Sequence, residues 1–139
     1  MFPGLLPSSL FDADHDTFRE TVRRFVDKVV LPSIDAWEEA ETFPRELYRE
    51  AADLGMLGLG FPEEYGGTPG DLFLELAMIE ELTRAASGGL LASLFSHTIG
   101  APPIVAGGSA ALKARVLPAI LSGEKINALA ITEPSGGSD

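Results

Sequence analysis

Cysteine is absent from the 139-residue chain, and its absence excludes several chemistries at once. Disulfide bonds, thiol catalysis and cysteine-ligated zinc all require a side chain that the sequence does not contain. Histidine is scarce, with two in the whole sequence, so no set of metal ligands is predicted either. A domain of this length can nevertheless bury a sizeable core without disulfides or metal.

Basic residues are also few. Ten Lys and Arg stand against twenty-one Asp and Glu, which gives a formal net charge of −11 at pH 7. A surface of that sign repels nucleic acid phosphates and anionic membranes, so neither partner is expected. No basic residue precedes Arg19, so the N-terminus is unlike a secretory signal or a mitochondrial transit peptide. The sequence therefore favours a cytoplasmic protein.

One long stretch has no charged residue. Ala85 to Leu112 contains no Asp, Glu, Lys or Arg, and its length raises the question of a membrane helix. Pro102, Pro103 and several glycines interrupt it, and the break is expected around Gly100 to Pro103. The prediction is a set of buried core helices and no membrane partner.

Apolar residues recur at spacings of three and four from about residue 14 to residue 122, which is typical of amphipathic helices. This pattern predicts at least five helices and no internal repeat. A small set of apolar residues is predicted to form the core: Phe18, Val22, Phe25, Val29, Leu47, Leu54, Leu76, Ile79 and Val116.

The titratable residues of the helices carry little sign of catalysis. Glu80 and Glu81 are adjacent in sequence, so they cannot face each other on a helix, and both are expected outside the core. His97 lies in an apolar stretch without neighbouring ligands and is expected to be a hydrogen-bonded core histidine. No residue is therefore assigned a catalytic role.

The last fourteen residues, INALAITEPSGGSD, differ from everything before them. Ile126 to Ile131 has the composition of a short strand, and Pro134, Gly136 and Gly137 indicate a turn after it. Such a loop can bring backbone N–H groups and hydroxyls to a cofactor, although an ordinary strand and turn would have the same pattern.

The string ITEPSGGSD resembles the flavin-contacting signature of the acyl-CoA dehydrogenases. Three upstream strings resemble the same family in the same order: FPRELYREAADLGMLGLGFPEEYGG, EEL and LPAILSGEK. The resemblance implies an all-α, up-and-down helical bundle over residues 1–125, the N-terminal domain of that fold. It also implies that residues 126–139 begin the middle β-domain with one strand, and that the chain is the N-terminal piece of a longer protein.

The resemblance further implies a site and a reaction. Five residues would contact FAD, and the last of them would also contact the acyl-CoA thioester: Leu129, Ile131, Thr132, Gly137 and Ser138. Family members remove the α-proton with a carboxylate base and pass the β-hydride to the flavin, then reduce an electron-transfer acceptor protein. They work in fatty acid metabolism as homotetramers or homodimers. No glutamate of this chain matches the family's base.

Two other interpretations remain open. The parent protein could be an acyl-CoA oxidase or a flavin monooxygenase of the same fold. Alternatively, the chain could be a free-standing helical module that binds a partner protein through the apolar, glycine-punctuated loop at residues 55–61. The excess of acidic residues does not suit the binding of FAD and CoA, because both ligands are anionic. The cations that bind them are expected from outside these 139 residues.

Overall fold

A computed structural model describes residues 10–137, and 62% of the structure is helical. The elements follow one another as α1 (Ala13–Phe25) with a π-helical extension (Val26–Val30), α2 (Ile34–Glu39), α3 (Glu46–Asp53), α4 (Leu72–Leu82), α5 (Gly88–Leu94), α6 (His97–Gly107) and α7 (Ala110–Leu121). Two short 3-10 turns cover Glu63–Tyr65 and Thr83–Ala85. The predicted all-α class and the minimum of five helices are both confirmed.

Helices α1 and α4 form the most extensive packing between elements. On α1 the buried side carries Val22 and Phe25, and the π-helical extension adds Val26. On α4 the buried side carries Met78 and Leu82. Burying these side chains stabilises the fold by roughly 1.5–3 kcal/mol each for the larger ones. The core of the domain therefore sits between these two helices and continues to α3 and α5.

The predicted core is right for α1 and α3 and wrong at two positions. Val22, Phe25 and Leu47 are at most 3% exposed, whereas Leu54 is 36% and Ile79 is 51% exposed. Phe18, Val29, Leu76 and Val116 are half-buried. The error at Ile79 has a physical reason. Helix α4 is apolar on nearly all sides, so its sequence does not show which side faces α1.

The uncharged stretch forms two helices that meet at Phe95 and Ser96. The predicted break around Gly100 to Pro103 is wrong, because α6 runs through both prolines. Gly88–Gly107 is long and apolar enough to cross a membrane by length and composition, with a mean hydropathy of 1.3. Only 22% of the 18-residue window that meets this test is buried. The expectation of buried core helices is therefore also wrong for most of its residues.

Residues 126–131 form no strand in the part of the chain that the structure describes. Ile126, Leu129 and Ile131 are 42%, 50% and 74% exposed. A strand needs a neighbour to accept and donate its backbone hydrogen bonds, and residues 10–137 offer this segment none. The predicted strand is therefore not formed here, and the domain boundary at residue 125 stays a prediction.

Candidate functional site

An apolar groove of about 620 Å³ opens on one side of the helical domain. Its walls come from α4, from the junction of α5 with α6, and from the loop that follows α3. The residues that decide its character are Met78 and Ile79 on α4, Phe95 at the junction, Val105 on α6 and Phe61 in the loop. Concave, mostly apolar sites of this size are typical of small-molecule binding.

The loop wall is held in place by backbone hydrogen bonds. Gly60 N donates to Thr68 O at 3.0 Å, and Thr68 N donates to Gly58 O at 2.8 Å. A Cβ at Gly67 would lie 2.0 Å from the carbonyl oxygen of Phe61, so only glycine allows this close approach. These contacts fix Phe61 at the edge of the groove.

His97 forms part of the groove and is 4% exposed. Its Nε2 lies 2.8 Å from the carbonyl oxygen of Leu57, so Nε2–H donates to that carbonyl in the neutral ring. The ring also stands 5.7 Å from the Phe61 ring and 6.2 Å from the Phe95 ring, between centroids. Burial lowers the pKa of His97, and the bond to Leu57 offsets this only in part. The prediction of a hydrogen-bonded core histidine is confirmed.

Two other polar side chains lie in the groove wall. Thr98 Oγ1 donates to the carbonyl oxygen of Phe95 at 2.8 Å, so this hydroxyl is already satisfied. Glu75 is half-buried on α4 and is the one carboxylate among the described groove residues. The groove therefore offers an apolar surface with a single negative charge, which suits a hydrocarbon chain and not an anionic group.

The second part of the candidate site is the segment from residue 126 to residue 137. Every described residue from 128 to 137 is exposed, including the predicted flavin contacts Leu129, Ile131, Thr132 and Gly137. Pro134 and Ser135 form a turn that is closed by a hydrogen bond from Gly136 N to Glu133 O at 2.9 Å. Ser138, predicted to contact both flavin and substrate, lies outside the described residues.

The structure does not bring the two parts into one cavity. None of the groove residues comes from the segment, so the predicted contacts stay predictions. Sequence reasoning also missed the groove itself, including Phe95, Thr98 and Val105. The signal that could have found it is the lack of any charged residue from Ala85 to Leu112, because an exposed helix without a charged face needs something apolar to cover it.

Comparisons with known proteins agree with this geometry. The model of the acyl-CoA dehydrogenase N-terminal domain matches residues 12–124. The long-chain specific acyl-CoA dehydrogenase of Sus scrofa mitochondria is 37% identical over 130 residues, which are 94% of this chain and 30% of that protein. The chain thus spans about a third of the length of the curated relatives it matches.

Solved structures give the same result. A structure from Mycobacterium smegmatis that is assigned as an acyl-CoA dehydrogenase superposes with a TM-score of 0.86 at 47% identity, over 95% of this chain and 35% of that one. The acyl-CoA dehydrogenase of Bacillus anthracis complexed with FAD gives 0.83 at 36% identity, over 96% of this chain and 23% of that one. The match of the family model over residues 12–124, together with these structures, shows that the chain belongs to the acyl-CoA dehydrogenase family, through its N-terminal domain.

Proposed function

We propose that this chain is the N-terminal helical part of an FAD-dependent acyl-CoA dehydrogenase. In this proposal the apolar groove receives the hydrocarbon chain of an acyl-CoA thioester, and the segment from residue 126 onwards contacts the flavin. The observation that carries the proposal is the groove, because it combines a volume of about 620 Å³ with walls in which Met78, Phe95 and Val105 face the cavity.

The segment fits the ring of a flavin better than its diphosphate. Leu129 and Ile131 are two residues apart in the sequence, and both apolar side chains are at least half exposed. Thr132 is exposed beside them and can offer its hydroxyl to a ring edge. Described residues 126–137 contain no Lys or Arg, so the phosphates need cations from elsewhere.

The reaction class follows from the ligands proposed for the two parts. An acyl-CoA dehydrogenase removes a proton from the α-carbon and a hydride from the β-carbon, so that an α,β double bond forms. A bound flavin supplies the acceptor for the hydride and its two electrons. The groove would hold the hydrocarbon chain and exclude water, while Thr132 would orient the ring. The base is assigned to no described residue of this chain.

Partners and location are part of the same proposal. Electrons would pass to an electron-transfer protein, which is supported by a match with the electron transferring flavoprotein structure of Acidaminococcus fermentans, with a TM-score of 0.78 at 28% identity. A role in fatty acid metabolism is supported by the long-chain relative of Sus scrofa.

Exposed Ile99 and Leu72 favour a homo-oligomer, tetramer or dimer, that covers them. We also propose a cytoplasmic location. The charge of −11 disfavours nucleic acid and anionic membranes as partners.

Thr132→Val tests the flavin contact in a flavin-loaded protein that carries this chain. Valine keeps the shape of threonine and removes its hydroxyl, so the loss of one hydrogen bond should weaken FAD binding by about 1 kcal/mol, roughly fivefold. Flavin absorbance and redox potential should shift as well. Thr17→Val, on an exposed position of α1, is the matched control and should change neither. Equal FAD affinity, spectrum and potential in both variants would remove Thr132 from the site.

The same preparation separates the alternatives. An acyl-CoA oxidase would reduce dioxygen at the rate of substrate turnover, and a flavin monooxygenase would also require an external reductant. A free-standing helical module would bind neither FAD nor acyl-CoA, even when it is expressed together with the remaining domains of the fold.

A further inference from the structure

The exposed segment meets the helical domain at Asn127, through both the backbone and the side chain of that residue. Its backbone carbonyl accepts a hydrogen bond from Ser96 Oγ at 2.7 Å. Its side-chain amide lies against Gly100 of α6, where a Cβ on the glycine would stand 1.8 Å from Asn127 Oδ1 and 2.8 Å from Asn127 Cγ. The amide of Asn127 thus fills the space that any other residue at position 100 would occupy.

The residues just before Asn127 are held by α3 and α7. Gly123 has a φ of +72°, and a Cβ there would lie 2.5 Å from the backbone of Tyr48. Arg45 Nη2 donates to the carbonyl oxygen of Glu124 at 3.1 Å, and Lys125 N donates to the carbonyl oxygen of Ala119 at 2.7 Å. The chain is therefore held at four successive points, the last of which is Asn127.

After Asn127 the attachment stops. Ala128 and all described residues beyond it are exposed, and Leu129 follows two positions later. The Oδ1 atom of Asn127 is buried and has no hydrogen-bond partner among the described residues. The contact of the Asn127 amide with Gly100 is therefore one of shape and not of hydrogen bonding.

We propose that Asn127, seated against Gly100, is the positioning residue that sets where and in which direction the segment with Leu129, Ile131 and Thr132 leaves the domain. Because α6 also forms one wall of the groove through Val105, the contact ties the position of the segment to that of the groove. The role in positioning a flavin rests on the proposed function, whereas the attachment itself does not.

The test uses the chain of 139 residues and measures backbone order parameters by ¹⁵N relaxation. In the wild type, the amides of Asn127 and Ala128 should have values near those of rigid backbone, about 0.85. Gly100→Ala places a methyl group on the Asn127 amide and should lower these values below about 0.6. Gly107→Ala is the matched control, because it lies on the same helix and a Cβ there meets nothing within 4 Å.

A second pair of variants keeps the test decisive if Gly100→Ala alone fails to fold. Asn127→Ala removes the three atoms closest to the position of a Gly100 Cβ, so it should lower the order parameters less than Gly100→Ala does. In the double variant Gly100→Ala with Asn127→Ala, the new methyl group at position 100 takes the space that the Asn127 amide leaves. The order parameters lost in Gly100→Ala should therefore be largely recovered. Unchanged order in Gly100→Ala, equal loss in Gly107→Ala, or no recovery in the double variant would overturn the inference.

The flavin arm separates this inference from the proposed function. In a flavin-loaded protein that carries this chain, Gly100→Ala should weaken FAD binding about tenfold and shift the flavin absorbance, while the double variant restores both. If order is lost and recovered as expected while FAD binding and absorbance stay constant, the attachment stands and the flavin contact of the segment is wrong. If neither order nor flavin responds, Asn127 is not a positioning residue.

Discussion

At the residue scale, His15 connects the starts of two helices. In the neutral ring its Nδ1 accepts a hydrogen bond from Asp12 N at 3.0 Å, and in the protonated ring Nδ1–H can donate to Asp12 Oδ1 at 2.7 Å. Asp12 is the N-cap of α1. Its Nε2 lies 3.1 and 3.2 Å from the two carboxylate oxygens of Asp71, the N-cap of α4. The rings of Phe11 and Phe73 pack edge-on against it. The hydrogen bond with Asp71, more than the nearby charge of Asp12, raises the pKa of His15.

The raised pKa of His15 predicts a pH dependence of stability. The folded state holds the proton more tightly than the unfolded chain, whose histidine pKa is about 6.5. The stabilisation is therefore complete below about pH 6.5 and is lost as the pH rises through the pKa of the folded state. We expect the free energy of unfolding of the wild type to fall relative to that of His15→Gln between pH 5.5 and 8.5.

Urea unfolding at several pH values measures this difference. His97 is present in both proteins, so its contribution to the pH dependence cancels in the difference. The pKa values of Asp12 and Asp71 are lowered, so both carboxylates titrate below the chosen pH range. Parallel stability curves for the wild type and His15→Gln would show that His15 does not take up a proton preferentially in the folded state.

Glu81 is the buried carboxylate of the α1–α4 contact, and the expectation that it lies outside the core is wrong. It is 4% exposed, and Arg23 donates to both of its oxygens at 2.6 and 3.1 Å. Arg84 adds a bond at 3.3 Å. The sequence could not show this pair, because residues 23 and 81 are distant in the chain. Arg19 and Glu80 form a second pair across the same two helices.

Glu81→Ala should lower the free energy of unfolding by about 2 kcal/mol. Breaking a buried pair usually costs more, but the side chains of Arg23 and Arg84 are 43% and 38% exposed and regain water in the variant. Glu20→Ala is the control, since Glu20 is 54% exposed and 3.7 Å from Arg23, and it should cost less than about 0.5 kcal/mol. Urea unfolding would contradict the prediction if the two variants were equally stable.

At the scale of elements, the groove between α4, α5 and α6 should bind an apolar ligand by burial alone. Val105→Trp places a large ring in the groove and should weaken binding of a neutral hydrocarbon probe, such as diphenylhexatriene, by about tenfold or more. Leu72→Trp is the matched control, because Leu72 is 64% exposed and lies outside the groove. Fluorescence titration of the purified chain gives both affinities, and equal binding would place the probe elsewhere.

The helix ends were the most predictable features at this scale. Asp71 Oδ1 accepts from Phe73 N and Leu74 N and so caps the start of α4. Ser109 caps α7, and Gly55 follows α3 with a φ of +79°. Caps are predictable because each depends on a side chain and a backbone group within three residues.

At the scale of the whole molecule, the chain by itself should bind FAD weakly or not at all and should not turn over acyl-CoA. Removing an α-proton requires a base within hydrogen-bond reach and donors for the thioester carbonyl, all arranged around a bound flavin. The exposed segment offers one wall of such a site. Apart from Glu75 in the groove wall, the described acidic residues lie on helix surfaces, in loops or in ion pairs. Without positioning, several kcal/mol of barrier lowering are lost.

The assay combines the purified chain with excess FAD, acyl-CoAs of short, medium and long chain, and an artificial electron acceptor. Its control is the same mixture without protein, which gives the rate of free flavin. Turnover above that rate would mean that a base lies within the 139 residues and that the proposed division of roles is wrong.

The sequence by itself determined that the chain is helical, which residues cap helices such as α4 and α7, and which family the chain resembles. These features depend on periodicity, on caps and on short motifs, all of which are local. Tertiary structure alone decided that α4 turns Met78 and Glu81 inward and Ile79 outward, that α5 and α6 enclose one side of a groove, and that Asn127 sits against Gly100. Each of these depends on contacts between residues far apart in the chain, and α4 and α6 are apolar on too many sides for their sequences to indicate which side is covered.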